Sequence, residues 1–363
     1  MRNAILRVWN GEARRLRQIL YVPLGLLSCL YRMGLSLREL TYRTGVMRTE
    51  KAPIPVLSIG NITLGGTGKT PVAERLSLRL KEQGFHPGII TRGYGRTKKG
   101  VFSVDIKKET AESAGDEAFM LARKTRIPVI VGKNRVRAIE QGIRSFHIDV
   151  AILDDGFQVR NLRKDFDLLL LAGKDAPGMS ALFPLGPMRE PANRMAAAHA
   201  ILINKGEPDQ ETLAQVNNKP LFRVTYRAAH LYKMKKNLIT RHDFLKGKRV
   251  TAFSGLGDNR SFFDLLRQIG AKVAHEISFP DHHRYGPADI KKCASFDDVH
   301  CIVTTEKDAV KIAPMEIPEN LFYLSIDAAI EDEDRLIELM LKKIGGQPDG
   351  FFKTGIRGPD IIQ

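Results

Sequence analysis

Hydrophobic and polar positions divide the chain into three textures. Near the amino terminus, residues 19–31 form an apolar stretch interrupted by Pro23 and Gly25 and flanked by Arg17 and Arg32. From Ala52 onward, short β-branched runs alternate with amphipathic stretches, the pattern of βαβ units around a mainly parallel sheet. Strands are predicted near 56–60, 88–91, 128–132, 150–154, 168–171 and 200–204, with helices over 69–83, 116–125 and 134–146. After a strand at 221–226, the polar, basic interval 227–248 reads as a connector. A second alternation follows, with strands at 250–254, 273–279, 301–304 and 321–325 and helices at 260–269, 287–294 and 331–344. The expected organisation is an arm over 1–50, a first α/β lobe over 51–226, the connector over 227–248, a smaller second α/β lobe over 249–345 and a tail over 346–363.

Composition supports a folded chain: of 363 residues, 43% are hydrophobic and 27% charged, which excludes disorder as the main state. Cys29, Cys293 and Cys301 form no CxxC pair, so neither a disulfide framework nor a zinc cluster is expected. The net charge of +16 calls for an anionic partner, and its distribution narrows the choice. Residues 1–48 carry nine arginines against Glu12 and Glu39. The apolar stretch between them falls short of the roughly 20 residues a spanning helix needs. Flanking arginines and the aromatics Trp9, Tyr21, Tyr31 and Tyr42 instead suit an arm lying at an anionic membrane surface. The rival reading of this arm is a helical hairpin packed on its own domain.

The most informative segment is Gly60-Asn61-Ile62-Thr63-Leu64-Gly65-Gly66-Thr67-Gly68-Lys69-Thr70, which follows a predicted strand and opens a predicted helix. Glycines let the backbone wrap phosphates, the helix start offers unpaired N–H groups, Lys69 neutralises phosphate oxygens and the Thr70 hydroxyl suits Mg²⁺. Thr63, Leu64, Gly65, Gly66, Thr67, Gly68, Lys69 and Thr70 are therefore the expected ATP-binding residues, although Thr63 stands where the strict P-loop pattern has glycine. The strand at 150–154 ends in Asp154 and Asp155, the natural partners of the nucleotide's metal. Asp116 and Glu117 open a predicted helix, where acids serve either as dipole-favoured cap residues or as a base and metal ligand. His282 and His283, beside Asp281, are open to proton transfer, metal ligation or a solvated role, with no spacing that favours zinc. Basic clusters containing Arg92, Arg135 and Arg189 follow predicted strands, the edge where doubly wound sheets bind ligands. Asn204-Lys205-Gly206-Glu207 approximates a guanine-reading NKxD element, with Glu207 in place of Asp, so GTP is a minor alternative to ATP.

In their order these segments resemble the tetraacyldisaccharide 4′-kinases, the lipid A 4′-kinase family of Gram-negative bacteria. The resemblance runs from the arginine-rich arm through the Gly60–Thr70 loop, Arg92-Gly93-Tyr94, Gly115-Asp116-Glu117, Asp154-Asp155-Gly156-Phe157-Gln158 and Gly186-Pro187-Met188-Arg189-Glu190-Pro191. It closes with Pro280-Asp281-His282-His283 and Thr304-Thr305-Glu306-Lys307-Asp308-Ala309-Val310-Lys311. Val159 and Ala118 depart from the family pattern, as do Leu185 and Met188. The resemblance implies a two-lobed α/β fold with a P-loop NTPase-like, doubly wound first lobe, a smaller second lobe and a helical membrane-associating arm. It implies transfer of the ATP γ-phosphate to the 4′-hydroxyl of a tetraacyl glucosamine disaccharide 1-phosphate, with Mg²⁺, at the cytoplasmic face of the inner membrane, the protein being peripheral or monotopic. Carried over, Asp116 is the general base, His282 its partner and Lys69 a catalytic phosphate contact, with Thr70, Glu117, Asp154 and Asp155 near the metal. Arg92, Tyr94, Arg135, Gln158 and Arg189 are the expected substrate contacts. No nucleic acid and no obligate protein partner are expected. The competing reading is a P-loop nucleotide-switch ATPase or GTPase of the partitioning or metallochaperone type, against which Leu64 stands where deviant P-loops carry lysine.

Overall fold

A computed structural model describes residues 14–172, 181–204, 206–207, 210–216, 218–236 and 238–345. Arg2, Arg7 and Trp9 of the arm, Lys205 of the NKxD-like element and the expected tail over 346–363 lie outside the described residues. The strands are β1 (Val56–Asn61), β2 (Pro87–Thr91), β3 (Phe102–Ser103), β4 (Val129–Val131), β5 (Val150–Asp154), β6 (Phe166–Ala172), β7 (Ala200–Asn204), β8 (Leu221–Lys233), β9 (Leu238–Arg241), β10 (Arg249–Ser254), β11 (Lys272–Ser278), β12 (Cys301–Thr305) and β13 (Leu321–Ile330). The helices are α1 (Arg14–Arg43), α2 (Lys69–Glu82), α3 (Ala111–Ala114), α4 (Asp116–Thr125), α5 (Arg135–Phe146), α6 (Gln210–Gln215), α7 (Asn259–Gln268), α8 (Pro287–Cys293), α9 (Glu306–Ile312) and α10 (Glu333–Ile344).

All the strands join one mixed sheet in the order β11-β10-β12-β13-β8-β7-β6-β1-β5-β2-β4-β3, with β9 on the free side of β8. Pairing is parallel within each half except for the short strands β3 and β9, which pair antiparallel with β4 and β8, and it is antiparallel at the seam between β8 and β13. The register of that seam positions the site. β7 pairs with the start of β8, ending at Asn204 opposite Val224. β12 pairs with the start of β13, ending at Thr305 opposite Leu324, which itself faces Leu231 of β8. The two parallel half-sheets therefore hang from opposite ends of one antiparallel ladder. Their carboxyl edges point toward each other across the length of β8 from Val224 to Leu231, about 20 Å of extended chain.

This arrangement places the interval 227–248 inside the sheet: half of β8, all of β9 and a 3-10 turn at His242–Leu245 occupy it. Within the part of β8 that it contains, Leu231 is the one fully buried residue, so no period-2 alternation marks this half of the strand. The helix α10 also differs from the division at 249–345, which groups it with the second lobe. Its apolar stripe, Leu336, Ile337, Met340 and Ile344, lies in one core cluster with Leu76, Leu80, Phe166, Leu168 and Leu202 of the first half. Arg75 and Arg79 of α2 hold it there through Glu333 and Asp334. A separate core, with Val250, Phe263, Leu266, Val303 and Leu324, supports the second half.

Among the described residues the arm forms one helix, Arg14–Arg43, continuous through Pro23 and past Arg32. By length and composition its segment Gln18–Arg43, 26 residues, is apolar enough to cross a membrane, which corrects the expectation of a stretch too short to span. The sequence expectation stops at Arg32, whereas Met33, Leu37 and Leu40 continue the apolar face for two more turns. One side of this helix is docked: Ser28 Oγ donates to the Leu182 carbonyl at 3.0 Å and Tyr31 Oη to the Arg189 carbonyl at 2.9 Å, while Arg38 pairs with Glu190 at 2.5 Å.

Gly60, near the end of β1, shows how closely the loop after β5 is packed. A Cβ at Gly60 would lie 2.6 Å from both Cβ and N of Phe157, whose backbone cannot yield cheaply. Gly60→Ala is expected to destabilise the protein by about 1–3 kcal/mol, as overpacking does, read as a lowered midpoint in chemical denaturation.

Candidate functional site

The loop between β1 and α2 is shaped by two glycines in left-handed or related conformations, Gly65 (φ 118°) and Gly68 (φ 80°). Gly68 precedes α2 with no side-chain cap, so the first amides of that helix are left for an anionic ligand. Thr67 anchors the loop: Asn61 Nδ2 donates to its hydroxyl at 2.8 Å, and Asn204 Nδ2 to its carbonyl at 3.1 Å. From β8, Tyr226 Oη donates toward the carbonyls of Thr67 (3.3 Å) and Gly68 (3.1 Å). Any Cβ at Gly68 would fall 1.9 Å from that oxygen, so the glycine is required by packing as well as by φ. Thr63 departs from the strict pattern because it forms a bridge with Met188, and the Leu64 amide donates to the Pro187 carbonyl at 2.7 Å. The start of the loop is thus fastened to the Gly186–Glu190 segment instead of turning on a glycine. Asn204 braces this loop, and Glu207 pairs with Arg223 at 2.6 Å, so neither takes the part of a guanine reader.

Beside the loop, the two acids after β5 sit in different surroundings. Asp154 is 2% exposed; Thr70 Oγ1 donates to its Oδ2 at 3.4 Å, and its Oδ1 has no hydrogen-bond partner among the described residues. Burial, with the nearby charges of Glu117 and Asp155, raises its carboxyl above the usual range. Asp155, at φ 57°, faces Lys69 at 3.6 Å and receives both arms of the Arg189 guanidinium, at 3.0 and 2.8 Å. Burial opposes its ionisation, but the Arg189 fork and Lys69 outweigh that and hold it at about 2. Gln158 Nε2 donates to the Asn61 carbonyl at 2.6 Å, so Gln158 and Arg189 both support this loop directly. Arg135 is 5% exposed and hydrogen-bonds the Gly132 carbonyl, with the charges of Asp154 and Asp155 nearby.

A second constellation spans the seam. Asp116 and Glu117 occupy the first turn of α4, following Gly115 (φ 96°). Asp116 Oδ2 lies 3.2 Å from Nδ1 of His282, which follows β11 and adopts φ 58°. The His282 ring packs on Tyr94, centroids 4.6 Å apart, while Arg92 stays exposed. Lys307 and Lys311, one turn apart on α9, reach the same acids: Lys307 Nζ is 3.0 Å from Glu117 and Lys311 Nζ 3.9 Å from Asp116. His283 points elsewhere, bonded to Asp289 at 3.0 Å and stacked on Phe279. The two constellations adjoin, because Gly257 of the second half lies against Gly66 of the loop, with the Gly66 amide 3.0 Å from where a Gly257 Cβ would stand.

The sequence reading assigned no role to Lys307, Lys311 or Tyr226, and it read Asn204 only as part of an NKxD-like element. For the lysines a local signal exists: Thr305 and Asp308 form an N-terminal cap, Thr305 Oγ1 accepting from the Asp308 amide at 3.1 Å, which marks a short helix carrying Lys307 and Lys311 on one face. Tyr226 carries no such signal, and the bracing contact of Asn204 is not written in its local motif, since each acts on a loop more than a hundred residues away.

Comparison with known proteins agrees with this layout. The family described as tetraacyldisaccharide-1-P 4′-kinase (LpxK) matches residues 20–345. The chain is 32% identical to a tetraacyldisaccharide 4′-kinase of Syntrophus aciditrophicus, over 94% of this chain and 98% of the relative. It is 36% identical to one of Desulfatibacillum aliphaticivorans, over 88% and 92%. Among solved structures, LpxK from Aquifex aeolicus in complex with ATP superposes with a TM-score of 0.73 at 32% identity, covering 91% of this chain and 99% of that one. The match therefore extends from the docked arm helix through both halves of the sheet to α10, and this chain belongs to the tetraacyldisaccharide-1-P 4′-kinase family.

Proposed function

We propose that the protein is an ATP-dependent kinase that phosphorylates the 4′-hydroxyl of a tetraacyl glucosamine disaccharide 1-phosphate, a step of lipid A biosynthesis. The observation that carries this reading beyond family membership is the pairing of Asp116 with His282 beside a P-loop whose helix begins Lys69-Thr70. In this reading the first half is P-loop-like and holds ATP through residues 63–70, and the second half contributes His282. The sugar hydroxyl attacks the γ-phosphorus while its proton passes to the Asp116 carboxylate; the bond to the bridging oxygen breaks and ADP leaves with the charge. His282 orients Asp116, and Lys69 offsets charge on the transferring group. Arg92, Tyr94 and Arg135 line the approach to this edge as substrate contacts, with Gln158 and Arg189 acting through the loop they brace.

The residues suit Mg²⁺. Among the described residues no cluster of three or more His, Cys, Asp or Glu can hold a metal alone. This fits an ion that takes one or two carboxylates and a hydroxyl and completes its shell with phosphate and water. Thr70 and Asp154, with its unpartnered buried Oδ1, would hold it, with Asp155 and Glu117 close by. When bound, the ion neutralises developing phosphate charge.

The arm supplies access to an insoluble substrate. Ile19, Val22, Leu26, Leu30, Met33, Leu37 and Leu40 recur at three- and four-residue steps, and each is more than half exposed. This stripe lies opposite the docked side, and with the flanking arginines it suits insertion into the cytoplasmic face of the inner membrane as a peripheral or monotopic anchor.

Incubation with ATP, Mg²⁺ and the purified disaccharide 1-phosphate lipid is expected to yield a product one phosphate heavier by mass spectrometry, and no product without divalent cation; nucleotide hydrolysis without lipid phosphorylation would overturn the assignment. Asp116→Ala and His282→Ala are each expected to lower kcat by about 10²–10⁴-fold with little change in ATP affinity, measured by steady-state kinetics and nucleotide titration. Deleting residues 1–45 is expected to release the protein from anionic vesicles in a sedimentation assay, and unchanged co-sedimentation would exclude the arm as the anchor.

A further inference from the structure

Lys307 has no part in the chemistry above, yet it occupies the centre of the seam. Its side chain is 13% exposed, and its Nζ lies 3.0 Å from Glu117 Oε1, 3.3 Å from Asp281 Oδ1 and 3.4 Å from Nε2 of His282. The ammonium is enclosed by the carboxylates of Glu117 and Asp281, the charge that a buried lysine pairs with. An ammonium offers three donors and no acceptor. Of the groups facing Nε2, the ammonium at 3.4 Å is nearer than Asp281 Oδ2 at 3.8 Å, so that nitrogen is favoured as a lone pair, which puts the ring proton on Nδ1, the nitrogen 3.2 Å from Asp116 Oδ2. The opposite tautomer would set an N–H against the ammonium and a lone pair against the Asp116 carboxylate, two repulsive contacts that the more distant Asp281 Oδ2 does not offset. The helix α9 that carries Lys307 is fixed by its own cap, with Asp308 fully buried and bonded to the Gly255 amide at 2.9 Å and to Thr305 Oγ1 at 2.7 Å.

We propose that Lys307 is a positioning residue that selects the Nδ1–H tautomer of His282 and so aims its hydrogen bond at Asp116. The inference rests on the reading of Asp116 and His282 as the proton-transfer pair. In the same stroke Lys307 ties α4 of the first half to the His282 loop of the second, because Glu117 and His282 share one ammonium. Lys311, bonded to Asp308 at 2.7 Å and to the His283 carbonyl at 3.3 Å, flanks Asp116 from the next turn and keeps α9 in register.

The test uses the full-length protein with ¹⁵N-labelled histidine. Long-range ¹H–¹⁵N spectra distinguish protonated from bare ring nitrogens, and the His282 signals are identified by their loss in His282→Gln. The wild-type protein is expected to show a protonated Nδ1 and a bare Nε2; a protonated Nε2 in the wild type would overturn the proposal without any variant at position 307. Lys307→Met, which keeps the side chain's length without its charge, is expected to populate the other tautomer and to lower kcat about 10–100-fold, as loss of an orienting partner does, with KM for ATP changed less than about twofold. Lys307→Arg is expected to retain the wild-type pattern and most of the turnover. An unaltered tautomer in Lys307→Met would refute the role of Lys307 while leaving the proton-transfer pair intact, whereas normal turnover in His282→Ala would refute the pair itself.

Discussion

The antiparallel ladder between β8 and β13 is the constraint on which the rest of the molecule depends. Parallel strands present their carboxyl ends at one edge, and ligands gather there because the loops and helix starts converge on it. Two such edges can face each other only if the halves run in opposite directions and attach at different heights. The β8–β13 register does both, with β7 held at Leu221–Val224 and β12 held level with Leu231–Lys233. The loop after β1 then approaches the second half at Gly257, and the acids that open α4 meet the histidine after β11 and the lysines after β12. The same strand that sets this geometry also touches the phosphate loop, through Tyr226.

Within the cleft, charge is arranged by exchange between elements. The acids that begin α4 are met by lysines of α9, and Lys124 near the end of α4 returns the contact to Glu306 at 3.3 Å and to Glu74 of α2 at 3.0 Å. Adjacent carboxylates acquire opposite character in the same way. Arg189 and Lys69 keep Asp155 ionised, while Asp154, buried behind Thr70, is held toward its neutral form by burial and the nearby charges of Glu117 and Asp155. The arm joins this network through the backbone of Arg189, which accepts a hydrogen bond from Tyr31. The helix with the exposed apolar stripe is thus a short covalent and hydrogen-bonded distance from the carboxylate it helps to place.

Much of this was legible in the residues, in particular places. Strands β5 and β7 and helix α4 fall where the sequence predicts them, because continuous apolar runs, helical periodicity and the Gly115-Asp116 boundary are local signals. The phosphate loop is likewise local, a strand, a glycine-rich turn and a helix start within a dozen residues. The arm's length was misjudged because Arg32 interrupts an apolar face that the helix carries on past it. The second half of β8 was hidden because no period-2 alternation marks it, and α10 was grouped with its sequence neighbours although its stripe is buried with Leu76 and Leu168.

By itself, the sequence determined most of the element types and the glycine-rich turn between β1 and α2, since each depends on spacings shorter than one helix or strand. Only the tertiary structure decided which of them act together. Lys307 and Glu117 are separated by 190 positions in the chain, and Asp116 and His282 by 166. Their contact follows from the seam register and from cores that bury side chains drawn from both ends of the sequence, and no local periodicity encodes a distance of that kind.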